Sequence, residues 1–115
     1  EIKQYTDGLP KHKLNQVLEY IRTHLEADLT IQELATVVYT SPTYFASLFK
    51  QSMGVTPHQY VMQCRVEKAK QLLKQGDLTL VEIGLLVGFK NQSHFTRVFK
   101  QFTQFTPKVY RRFIY

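Results

Sequence analysis

Leu14, Val17, Leu18, Ile21 and Leu25 recur at i, i+3, i+4, i+7 and i+11, an apolar stripe whose spacing predicts a first amphipathic helix. Thr30-Ile-Gln-Glu33 then has the form of a capping box: the hydroxyl can accept the N3 amide, and the glutamate can reach back to the N-cap amide. Ile31, Leu34, Ala35 and Val38 give that second helix its buried side. Thr79-Leu-Val-Glu82 repeats the box, and Leu80, Ile83, Gly84 and Val87 repeat the stripe, at an offset of 49. From Ser41 onward the offset is 50, because the second copy has one more residue in its turn. Phe45, Phe49, Lys50, Gln51, Thr56, Pro57 and Tyr60 find identical residues at Phe95, Phe99, Lys100, Gln101, Thr106, Pro107 and Tyr110. The chain is an internal duplication, with too long a period and too few copies for a solenoid.

Each copy reads as a short capped helix, a turn and a second helix carrying Phe-x-x-x-Phe. Ser41-Pro42 and Asn91 are N-cap signals for those second helices, with proline suited to the first helical position. Thr56-Pro57 and Thr106-Pro107 open the next helix in each half by the same device. The helix from Pro57 runs to about Gln75, where Gly76-Asp77 stops it, a length of roughly 28 Å at the helical rise. Its apolar residues (Tyr60, Val61, Cys64, Val66, Ala69, Leu72, Leu73) spread too widely for one stripe, which predicts burial on two sides. The expected fold is therefore all-α. Residues 1–11 form a linker-like N-terminal segment, 12–56 a first helix-turn-helix unit, 57–75 a linking helix and 76–115 a second unit.

The two second helices carry the candidate chemistry. Phe95, Val98, Phe99 and Phe102 share a face at helical spacing, so these aromatics read as core and not as a base-stacking platform. Ser93, Arg97 and Lys100 lie opposite, with Thr96 and His94 on the flanks. In the first copy Phe45, Leu48 and Phe49 form the core side, while Thr43, Ser47 and Lys50 face outward beside Ala46. A helix offering short polar residues with Arg and Lys suits the DNA major groove, which is about 12 Å wide and admits one helix. Arg can pair with the O6 and N7 of guanine, and Gln with adenine. Lys50 and Lys100, two turns in, are placed for phosphates; Gln92 and Ser93 can reach a base edge or a phosphate. Lys90, Asn91, His94 and Arg111 complete the expected backbone contacts. Two such helices on one face of DNA need to lie roughly 34 Å apart, a spacing the linking helix could supply within one monomer.

Charge supports a polyanionic partner. Residues 1–40 carry 4 basic and 6 acidic groups, residues 41–75 carry 5 and 1, and residues 76–115 carry 6 and 2. The basic excess is thus confined to the last two-thirds of the chain. A single cysteine, Cys64, permits no internal disulfide and suits a reducing cytosol; it reads as a small buried hydrophobe. No apolar run is long enough for a bilayer, so no membrane association is expected. The four histidines show no ligand spacing and no nucleophile motif occurs, so neither a metal, a cofactor nor an enzymatic activity is expected.

"RVEKAKQLL", "TLVEIGLLVGF", "NQSHFTRVFK" and "FTPKVYR" resemble, almost residue for residue, the DNA-binding domain of the AraC/XylS family of bacterial transcription regulators. The resemblance covers residues 12–113. It implies seven helices, two helix-turn-helix units and a linking helix, with recognition helices at Pro42 to Ser52 and Asn91 to Phe102. Base-reading positions in such proteins fall on Thr43, Ala46, Ser47, Gln92, Ser93 and Arg97. The resemblance also implies a separate N-terminal sensing or dimerisation domain; RNA polymerase is expected as a further partner, and a cytoplasmic location on the nucleoid when bound. Three positions depart from the pattern. Tyr39 stands where the second copy has Gly88, and Gln104 where the first has Gly54. Ala46 and Ser47 are too small for bidentate bonds, so the first helix is expected to read thymine methyls or shape. A protein-interaction module that docks its basic face on an acidic partner remains the alternative.

Overall fold

The computed structural model describes residues 8–113, and among them the chain forms seven α-helices and no strand. These are α1 (Lys11–Thr23), α2 (Ile31–Val37), α3 (Pro42–Met53), α4 (Pro57–Gln75), α5 (Leu80–Leu86), α6 (Gln92–Thr103) and α7 (Pro107–Phe113). The chain divides into two compact units between Val61 and Met62.

In the first unit, Val17 and Ile21 of α1 are buried together with Leu34 and Ala35 of α2 and Phe45, Leu48 and Phe49 of α3. Burying each such large side chain contributes about 1.5–3 kcal/mol relative to leaving it in water. The chain before α1 belongs to this unit. Leu9 is 7% exposed, and its N–H donates to Ser52 Oγ at 2.8 Å. Gly8 and Leu9 are thus buried against this unit and Lys11 opens α1; residues 1–7 of the linker-like segment lie outside the described residues.

The second unit repeats the arrangement, with Ile83 and Gly84 of α5 buried alongside Phe95, Val98 and Phe99 of α6. The aromatic pairs recur with it. Phe45 and Phe49 lie 5.7 Å apart, Phe95 and Phe99 5.8 Å. Phe49 meets Tyr60 edge-on at 5.8 Å, as Phe99 meets Tyr110 at 5.3 Å. Such edge contacts suit the ring quadrupoles.

α4 has 19 residues and contains the division between the units. Its buried residues are Pro57, Val61, Met62, Arg65, Val66, Ala69 and Leu73. At 3.6 residues per turn these span about 180° of the helix circumference. Tyr60, Cys64 and Leu72 are half-buried.

The capping boxes form unequally. At α5 the box is complete: Thr79 Oγ1 accepts from Glu82 N–H at 3.1 Å, and Glu82 Oε1 accepts from Thr79 N–H at 2.8 Å. At α2, Thr30 accepts from Glu33 N–H at 3.1 Å, but the Glu33 carboxylate accepts from the Tyr20 hydroxyl. At α4, Thr56 and Gln59 form a box that the sequence reading passed over, at 3.0 and 3.1 Å.

Candidate nucleic-acid interface

Each turn between the paired helices closes with the same two backbone bonds. Tyr39 N–H donates to Thr36 O and Gly88 N–H to Leu85 O, both at 3.1 Å. Thr40 N–H donates to Ala35 O at 3.0 Å and Phe89 N–H to Gly84 O at 2.9 Å. Tyr39 achieves this with φ of 56°, where Gly88 has 108°. It therefore adopts the left-handed conformation itself, with its side chain 90% exposed and clear of the core. With tyrosine in place of glycine, the turn is bonded as in the second copy.

The next turn mirrors the exchange. Gly54 has φ of 78° and Gln104 has 74°, and each N–H donates to the carbonyl four residues earlier at 2.8 Å. The Thr103 hydroxyl accepts from Phe105 N–H at 3.1 Å, bracing the side of the turn where glycine is missing.

Within the second unit, Gly84 sets how near α5 comes to α6. A Cβ there would lie 3.0 Å from Phe95 Cδ2 and 3.3 Å from Cγ, tighter than a normal contact. The first unit has Ala35 at the equivalent place, buried under the same turn.

The outer faces are as the spacing predicts, with three exceptions. On α3, Thr43, Ser47 and Lys50 are exposed and Ala46 is half-buried. On α6, Ser93, Arg97 and Lys100 are exposed above buried Phe95, Val98 and Phe99. Phe102 is the first exception: expected in the core, it is 44% exposed. Gln92 is the second. It is half-buried, and its Oε1 is shut off from solvent with no hydrogen-bond partner. Arg111 is the third, because its Nη2 donates to Leu78 O at 2.7 Å and its Nε is buried without a partner. That guanidinium secures the entry to α5, which leaves Arg112 as the exposed arginine at this end.

The remaining expected backbone contacts gather at the start of α6. Lys90 is exposed, and Asn91 Oδ1 caps the helix by accepting from His94 N–H at 2.8 Å. Only the amide nitrogen of Asn91 is then left to meet a phosphate. His94 is half-buried, its ring edge-on to Phe89 at 5.2 Å. The Arg65 guanidinium is buried over that same Phe89 ring at 5.8 Å. Glu67, a neighbour of Arg65 on α4, pairs with Lys70 at 3.0 Å. No helix among the described residues is long and apolar enough to cross a membrane.

Comparison with known proteins places this geometry. A model of helix-turn-helix domains matches residues 34–112. The chain is 38% identical over 104 residues to the probable transcriptional regulator LumQ of Photobacterium leiognathi, covering 89% of this chain and 42% of that protein. It spans less than half the length of the curated relatives it matches. A solved transcriptional regulator from Chromobacterium violaceum, described as containing an AraC-type DNA-binding domain, superposes with a TM-score of 0.83 at 30% identity, over 90% of this chain and 93% of that one. The DNA-binding domain of the global transcriptional factor AdpA, solved with a target DNA, superposes with a TM-score of 0.82 at 26% identity, over 87% and 90%.

Proposed function

Since this chain belongs to the AraC-type helix-turn-helix family, we propose that it is the sequence-specific double-stranded DNA-binding module of a bacterial transcription regulator. The observation that carries the reading is the repeated unit, in which a capped helix and a fixed turn hold a second helix with its aromatics inside. Each second helix then offers a polar face ending in lysine, Lys50 in one and Lys100 in the other. α3 and α6 enter successive major grooves of one duplex, an arrangement that the roughly 28 Å length of the linking helix favours.

In this reading Arg97 forms paired bonds to guanine, and Ser93 reaches a neighbouring base edge. A buried carboxamide oxygen without a partner costs about 1–3 kcal/mol, so Gln92 gains by turning outward onto a donor in the groove. Thr43, Ala46 and Ser47 read methyl groups and shape. Lys50, Lys90, Lys100 and the Asn91 amide hold phosphates, His94 flanks them, and Arg112 takes the place first given to Arg111. The module catalyses no reaction. It acts in the cytoplasm, on the nucleoid when bound, beside a sensing or dimerisation domain and with RNA polymerase as a second partner.

Binding to duplex DNA across a salt series tests the core of this reading. Affinity should fall steeply and log-linearly with salt, as counterions are released from neutralised phosphates. Selection from random duplexes should return two unequal half-sites about one helical turn apart. A palindrome, a single half-site or no preference would overturn it.

A further inference from the structure

We propose that Arg65 is a positioning residue for the second recognition helix, acting through the ring of Phe89, and that it sharpens base discrimination in one half-site alone. The inference rests on the DNA-binding reading above and adds to it a residue that cannot itself touch DNA. Arg65 is 5% exposed, too deep for a phosphate contact.

Its guanidinium lies 5.8 Å from the Phe89 centroid, within the range of a cation–π contact, and burial strengthens such a contact by removing water. Phe89 is itself 2% exposed and follows Gly88 in the turn that leads to α6. Its ring also meets two first-turn residues of that helix, the His94 ring edge-on at 5.2 Å and the Phe95 ring at 5.3 Å. One aromatic ring is thus held between an arginine of α4 and the start of α6. The backbone fixes the same ring, because Phe89 N–H donates to Gly84 O at 2.9 Å. A shift of the ring would carry Phe95 with it, and Ser93 and Arg97 sit on the same two turns as Phe95.

The first copy is built differently at the equivalent places. Thr40 stands where Phe89 stands, and its hydroxyl donates to Val38 O at 3.2 Å. Tyr44 stands where His94 stands and is 42% exposed. The second copy also has the extra turn residue, Lys90, between Phe89 and the N-cap. A longer turn has more freedom, and the clamped ring removes it where discrimination is sharpest. The planar guanidinium suits this role better than an ammonium, since it stacks on an aromatic face.

The test compares Arg65→Met, Arg65→Lys and Phe89→Leu with the natural chain, each first checked for folding by thermal melting. Binding is measured on the selected duplex and on duplexes altered in one half-site at a time. Arg65→Met should lower discrimination in the half under α6 by about three- to tenfold, the strength such a contact commonly has. Discrimination in the other half should stay within about twofold, and Arg65→Lys should fall between. If Arg65→Met does not fold, Arg65→Lys and Phe89→Leu decide by the same comparison. A folded variant that discriminates like the natural chain in both halves, or that loses equally in both, overturns the proposal. Should the natural chain itself prefer no sequence, the DNA reading has failed and the clamp is judged on the free protein. Amide resonances of residues 91–96 should then move in the variants while those of residues 41–46 stay, and the absence of that contrast overturns the clamp.

Discussion

Tyr20 donates its hydroxyl hydrogen to Glu33 Oε2, joining α1 to α2 and drawing the carboxylate away from the N-cap it was expected to close. The bond to Glu33 is the main cause that pushes the Tyr20 phenol above its ordinary range, with desolvation adding to it. A raised folded value means that the contribution is fully present below the ordinary tyrosine pKa and is lost as pH rises through the raised one. Titration of the Tyr20 ring carbon by NMR should show late ionisation, and Glu33→Gln should bring it earlier. Unchanged titration in that variant would mean that the bond does not form in solution.

Glu82 shows the opposite sign. Its bond from the Thr79 N–H, and then its contact with the Thr79 hydroxyl, hold the carboxyl below its ordinary value. This contribution is present above the ordinary glutamate pKa and fades as pH falls through the depressed one. Thr79→Ala should cost about 1 kcal/mol at neutral pH in urea unfolding, the usual worth of an N-cap. Glu82→Gln should flatten the acid limb of the stability profile.

The lysines and Arg97 should separate by what they read. Arg97→Ala should weaken the best duplex by about 1–3 kcal/mol and relax preference at one base position. Lys100→Ala should weaken all duplexes alike and reduce the salt slope by about one. Arg97→Ala with affinity and preference both intact would remove α6 from the groove.

The two left-handed positions make a reciprocal pair. Gly54 has open space where a Cβ would go, so its φ alone opposes a side chain. Gly54→Ala should destabilise by about 1 kcal/mol, and Gln104→Gly should stabilise by a similar or smaller amount. Melting temperatures of the two variants check both signs. A matched destabilisation by Gln104→Gly would show that the side chain, not the backbone, matters at that turn.

Gly84 is a different case, since space and not φ limits it. A β-branched residue there meets the Phe95 ring, so Gly84→Val should cost about 1–3 kcal/mol by overpacking. Gly84→Ala should cost less, because the helix gains about 1 kcal/mol of propensity against the tight 3.0 Å contact.

Much of this was legible in the order of residues. The repeat placed the paired helices of each unit, the family resemblance supplied the count of seven, and helical spacing put Phe45, Phe49, Phe95 and Phe99 inside with Arg97 and Lys100 outside. Spacing failed at Phe102 because a residue near a helix end has fewer neighbours to cover it. On α4 it marked Tyr60, Cys64 and Leu72, which are half-buried, beside Val61, Val66, Ala69 and Leu73, which are buried. Arg111 was placed among the outward contacts because a charge gives no sign in sequence of whether it faces solvent or a carbonyl.

The division between the units falls at Val61 and Met62, inside an unbroken helix. Two-part proteins are ordinarily taken apart at an exposed loop, by a protease or by a cloning primer. Here that route is closed, since any cut at the division severs helical hydrogen bonds and leaves each fragment with a frayed end. Expressing either half alone would therefore require carrying much of the other half's helix with it. Loss of one reader is better engineered by changing its surface residues than by deleting it.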